Sequence, residues 1–190
     1  MGFAKTLSGL YFRLTGWKFV VDCPIPNGGV LVGAPHTSNW DWALMMAIAA
    51  QTGMKLRWLG KKSLFTPPLG PILRGFGGVP VDRGNSHGLV EDMAQTLRDT
   101  PGLFIAITPE GTRSGAKYWK SGFYRIAEAA GAPLVLCYVD SKTRTTGLGE
   151  TFMPSGNVGE DMDRIRSFYA GKVGIKPGRT MEPRLREEDS

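Results

Sequence analysis

The chain has 190 residues, 42% of them hydrophobic and 21% charged, with a formal charge of +6. That length suits one domain, and that composition excludes a disordered or fibrous chain. The longest uninterrupted apolar run, residues 42–50, is far short of the roughly 20 residues that cross a bilayer, and the stretch after Lys5 is too short and polar for a secretory signal.

In chain order, Phe3, Leu7, Leu10, Tyr11 and Leu14 recur at helical spacing, with Lys5 and Arg13 off that stripe and Trp17 and Lys18 just beyond. The pattern predicts an amphipathic helix over residues 1–18, either interfacial or packed on the core. Short apolar runs at 19–23, 30–33, 56–59, 79–81, 103–107 and 134–139 read as buried strands. Helices are expected between and after them: 39–51, apolar nearly all round and closed by Gly53; 89–97; 123–130, stopped by Gly131; and 162–169, stopped by Gly171. Residues 64–73 form a second apolar stretch, broken by three prolines and flanked by Lys61, Lys62 and Arg74. Residues 179–190, rich in Arg, Glu and Asp, read as a solvated tail after an α/β domain over residues 19–178. Alternating strands and helices give the expected fold class: α/β, one layered domain with a mixed, largely parallel sheet flanked by helices. Cys23 and Cys137 lie inside strand-like runs and form no metal-ligand pair, so no metal site is expected and both read as buried thiols of a cytosolic protein.

The cations cluster in residues 1–21, 55–83 and 111–125, which points to an anionic partner. No nucleic-acid signature accompanies them, and the arginines fall in turns rather than along a stripe, so no nucleic acid is expected. In parallel sheets ligands sit beyond the carboxyl ends of strands, and the informative residues fall there. After 30–33 comes Pro35-His36-Thr37-Ser38-Asn39-Trp40-Asp41. A histidine at a strand-to-helix turn with an aspartate five residues on can act as a base whose tautomer the carboxylate fixes. Ser38-x-x-Asp41 also reads as a helix-capping box, and one carboxylate can serve both roles. After 103–107 comes Pro109-Glu110-Gly111-Thr112-Arg113-Ser114, a tight turn offering backbone N–H groups, a hydroxyl and a guanidinium suited to phosphate or carboxylate. Glu110 there can pair with Arg113 or bind a substrate hydroxyl. The run Gly78-Val79-Pro80-Val81-Asp82-Arg83 ends a third strand on an arginine, with His87 close behind in a loop or helix start.

Taken together and in this order, these runs resemble the glycerolipid acyltransferase family, typified by lysophosphatidate (1-acylglycerol-3-phosphate) acyltransferases. His36 to Asp41 is similar to that family's His-x4-Asp block, residues 78–83 to its second and residues 109–114 to its third. Ala132-Pro133-Leu134-Val135 resembles the fourth, and Trp119-Lys120-Ser121-Gly122 matches a further family habit. The chain departs from the usual pattern at Pro35, at Thr108 and at Leu136-Cys137.

The resemblance implies transfer of a fatty acyl group from a thioester donor, acyl-CoA or acyl-carrier protein, to a lysolipid hydroxyl, with no cofactor beyond that co-substrate. His36 would be the general base and Asp41 its partner. Arg83, Glu110, Gly111, Thr112, Arg113 and, more weakly, Lys120 would bind the substrate's phosphate or polar head. Backbone N–H groups of the Gly111 turn, or of the helix after His36, can stabilise the oxyanion. Residues 1–18 and 64–73 would rest on an anionic membrane surface, placing the protein on the inner, cytoplasmic face. The competing readings are a thioester hydrolase and a non-catalytic anionic-lipid module.

Overall fold

The computed structural model describes residues 2–82 and 88–189. Arg83 and His87 lie outside the described residues. Seven strands form one sheet: β1 (Lys18–Val21), β2 (Gly29–Ala34), β3 (Lys55–Lys61), β4 (Gly78–Val81), β5 (Leu103–Ile107), β6 (Leu134–Asp140) and β7 (Thr145–Phe152). Their order across the sheet is β1-β7-β6-β2-β5-β3-β4, parallel at every pairing except β6 with β7. The expected mixed, largely parallel α/β architecture is what forms.

Both faces of the sheet are covered, which is why its central strands read as unbroken apolar runs. Side chains alternate in direction along a strand. Val30 and Val32 of β2, and Leu134 and Leu136 of β6, therefore join one core, packed with Phe123, Ile126, Met162 and Ile165. Leu31, Val135 and Cys137 join the other, under Leu44 and Ile48. The first core belongs to α4 (Leu89–Asp99), α5 (Gly122–Ala130) and α6 (Val158–Tyr169). The second belongs to α2 (Trp40–Thr52), with α1 (Gly2–Thr15) laid across it. The fourth sequence block has a plain structural use: the Pro133 carbonyl accepts from Val30 N at 2.9 Å, joining the start of β6 to β2.

Two elements lie outside the sequence pattern, and one expectation needs correction. β7 has no clear strand signal, because Thr145–Phe152 carries two glycines, which weaken one. Both are required by close approach. A Cβ on Gly147 would stand 1.8 Å from the Val20 carbonyl oxygen, and one on Gly149 would stand 2.3 Å from the Phe168 ring. The proline-rich stretch folds as a 3-10 turn, Lys62–Phe65, followed by a short helix α3 (Leu69–Gly75). Residues 179–189 are not a solvated tail: Pro183 and Leu185 are buried, and Met181 packs against the first core.

The first helix forms as expected, but its apolar stripe faces outward. Phe3 (83% exposed), Leu7, Leu10 and Leu14 are all exposed, whereas Ser8 and Phe12 form the inner side. That side docks through Gln51 of α2, whose side-chain amide donates to the Lys5 carbonyl and the Ser8 hydroxyl.

Candidate active site

β2 and β5 are adjacent and parallel, with Val32 opposite Ile107. The chain runs four residues on from Val32 to His36 and three from Ile107 to Glu110, so the loops after the two strands leave the same sheet edge side by side. The loops meet: His36 N donates to Glu110 Oε1 at 2.8 Å. This contact joins residues 74 apart in sequence through nothing more than strand register.

Helix α2 starts at Trp40, so Asp41 sits in its first turn, where the helix dipole favours a negative charge. Asp41 is 8% exposed and its Oδ2 does three things. It lies 3.1 Å from His36 Nδ1 and accepts from Thr37 N and Ser38 N, both at 2.8 Å. The ring contact is close but not aligned as a straight hydrogen bond, a common state of catalytic pairs before substrate binds. The capping box is thus half realised. Asp41 reaches back to Ser38 N, while Ser38 Oγ accepts from Trp40 N at 3.3 Å instead of capping further along the helix.

A cavity of about 590 Å³ opens beside this pair. His36, Asp41, Gly111, Thr112, Arg113 and Lys61 supply its polar wall. Its apolar wall comes from Leu31, Ala106 and Val139 of the sheet face, Trp42, Met45 and Ile48 along one side of α2, and Trp58 and Leu73. Cys137 also lines it, but burial pushes its thiol up to about 12, so it is no nucleophile at neutral pH. Thr112 Oγ1 and Ser114 Oγ share a hydrogen bond of 2.8 Å beside Arg113, whose side chain is exposed.

The family model described as Acyltransferase matches residues 18–140, about two thirds of the chain, and that span holds His36, Asp41 and the 109–114 turn. The chain belongs to the acyltransferase family. Among solved structures it is similar to the 1-acyl-sn-glycerophosphate (LPA) acyltransferase, PlsC, from Thermotoga maritima. The two share 18% identity and a TM-score of 0.58 over 83% of this chain and 70% of that one, a likeness of fold. No curated protein matches the chain significantly.

In this acyltransferase the sequence-selected residues divide into three groups. His36 (20% exposed), Asp41, Gly111, Thr112 and Arg113 face one cavity. Glu110 does not: it is 2% exposed, stands behind His36, and makes no ion pair with Arg113. It accepts from the His36 backbone N–H and does not line the cavity. Lys120 is exposed and off the cavity wall, its stem against Gly111 and its N–H donating to the Pro109 carbonyl at 2.8 Å. Arg83 follows β4 and lies outside the described residues. The apolar wall is not legible in the sequence, because its residues come from six elements and look like ordinary core. Nor does the sequence mark Thr37, which is wholly buried next to His36.

Burial pushes the Glu110 carboxyl up to about 7, against the pull of the His36 N–H and with a further push from the Asp41 charge. The folded protein thus holds this proton more tightly than the unfolded chain. The associated stability is full below about pH 4.5 and is lost as pH rises through about 7. Glu110→Gln removes the titrating group. Urea unfolding from about pH 5 to about pH 8 should show wild type losing on the order of 2–3 kcal/mol more than this variant. Parallel stability curves would contradict the assignment.

Proposed function

We propose that this acyltransferase moves a fatty acyl group from acyl-CoA or acyl-carrier protein to the hydroxyl of a lysophospholipid such as 1-acylglycerol-3-phosphate, in phospholipid biosynthesis. The observation that carries the reading is His36 on the wall of a cavity that is part apolar, with Asp41 3.1 Å from its Nδ1. Nδ1 toward the carboxylate leaves Nε2 for substrate. The base takes the acceptor's proton as its oxygen attacks the thioester carbonyl, and returns it to the leaving thiolate. A positioned base of this kind is worth about 10²–10⁴-fold. The acceptor is itself the nucleophile, so no acyl-enzyme is needed. The acyl chain lies against the apolar wall, while Thr112, Arg113 and the Gly111 turn hold the acceptor's phosphate. The PlsC of similar fold is a 1-acyl-sn-glycerophosphate acyltransferase, which favours that acceptor class.

A lysolipid must be drawn from a membrane. Among the described residues no helix is long and apolar enough to cross one. The exposed stripe Phe3-Leu7-Leu10-Leu14, with Lys5 and Arg13 on the same helix, has the make-up of an interfacial helix. Leu64, Leu69, Ile72 and Phe76 are exposed beside Lys61, Lys62 and Arg74, and Leu64 also lines the cavity. Both segments rest on an anionic surface, the inner face of a cytoplasmic membrane, and bring the cavity to its substrate.

Thiol release from acyl-CoA decides the reaction. Release only with lysophosphatidate present is the expected result, abolished in a folded His36→Ala. Release without acceptor means hydrolysis, and none means binding alone. Sedimentation with vesicles tests the membrane contact: the protein should pellet with anionic vesicles at low salt, and Leu7→Ser/Leu14→Ser should weaken this. Recovery in the supernatant at every lipid composition would contradict it.

A further inference from the structure

After α6 the chain turns back across the active-site edge of the sheet and ties down, one after the other, the two loops that carry the site. Lys176 N donates to Thr37 Oγ1 at 3.0 Å. Gly174 packs so close to Thr37 that a Cβ there would stand 2.5 Å from Thr37 Cγ2. Farther on, Arg179 Nη1 donates to the Arg113 carbonyl at 3.3 Å, and the Arg184 carbonyl accepts from Trp119 N at 2.7 Å. Leu185, fully buried, anchors the far end in the first core. One segment therefore grips the loop after β2 next to His36, and the loop after β5 at Arg113 and Trp119.

Thr37 is the point where this grip reaches the chemistry. It has no exposed surface, its hydroxyl takes the strap's N–H, and its own N–H donates to Asp41 Oδ2 at 2.8 Å. A shift of Thr37 moves both His36, the residue before it, and the carboxylate that holds the His36 ring. We infer that residues 174–185 are a positioning strap, and that Thr37 is the residue through which the strap sets the His36–Asp41 pair against the Arg113 loop. The inference rests on the acyl-transfer reading for its kinetic consequence. Misplacement of a reacting group by about 1 Å can cost about 100-fold in rate, so this is a role in turnover and not only in packing.

Thr37→Val keeps the shape and removes the acceptor, Thr37→Ser keeps the acceptor, and Gly174→Ala pushes on Thr37 from the strap side. In the acyl-CoA and lysophosphatidate assay, Thr37→Val and Gly174→Ala should lose about 10- to 100-fold in kcat with the donor KM within about threefold, while Thr37→Ser stays within about threefold of wild type. Amide hydrogen exchange supplies a second reading that needs no turnover. The Ser38 N–H, which donates to Asp41, should exchange faster in Thr37→Val and Gly174→Ala but not in Thr37→Ser. An undiminished kcat in Thr37→Val, an equal loss in Thr37→Ser, or unchanged Ser38 exchange would overturn the inference. Should Thr37→Val fail to fold, Gly174→Ala decides by the same readings. A wild type that transfers no acyl group sinks the proposed function instead, and Ser38 exchange then judges the strap alone.

Discussion

The geometry of the candidate site depends on one oxygen atom. Asp41 Oδ2 accepts from two successive backbone N–H groups and stands against the imidazole of His36, so a single carboxylate shapes the turn and orients the ring. Buried N–H groups without an acceptor are costly, and an imidazole without a fixed partner samples both tautomers. The four residues between His36 and Asp41 are what this needs: enough chain to leave β2, turn, and enter the first turn of α2 where the dipole steadies the charge. The other oxygen, Oδ1, is buried without a protein partner, so the site concentrates its donors on the ring side.

Around that atom the fold supplies position. The parallel pairing of β2 and β5 brings His36 and the 109–114 turn together, and the buried Glu110 carboxyl locks them through the His36 N–H. The cavity has room because the sheet face beneath α2 carries small residues, Gly33 and Ala106, where a filled core would need larger ones. Gly60 is small for another reason: a Cβ there would meet Trp58 and Phe65 within 3.0 Å, so those aromatics fill its space.

Six of the seven strands, the site loops and five helices were legible because each is a local pattern: apolar runs of strand length, helical spacing, glycine stops. The elements that escaped were those whose logic is tertiary. β7 has glycines because Val20 and Phe168 press against it, which no local window shows. The strap is polar in composition, and its buried anchors, Met181, Pro183 and Leu185 among them, are too few and too scattered to make a local pattern. The stripe of α1 was visible, but its outward direction follows from Ser8 and Phe12 making the inner contact, a choice periodicity leaves open. Glu110 stands out in the sequence, but its neighbour in the fold does not. A carboxylate beside Arg113 in sequence looks like its ion-pair partner, whereas strand register hands it to His36.

The central claim is that the Asp41 charge, and not only its shape, makes His36 an effective base. Asp41→Asn keeps the size of the side chain and an oxygen that can accept from Thr37 and Ser38, but abolishes the charge beside the ring. Single-turnover acyl transfer by this variant, measured with its unfolding midpoint, is the most direct test. The rate should fall by at least about 100-fold while the protein stays folded. Transfer at the wild-type rate would contradict the account.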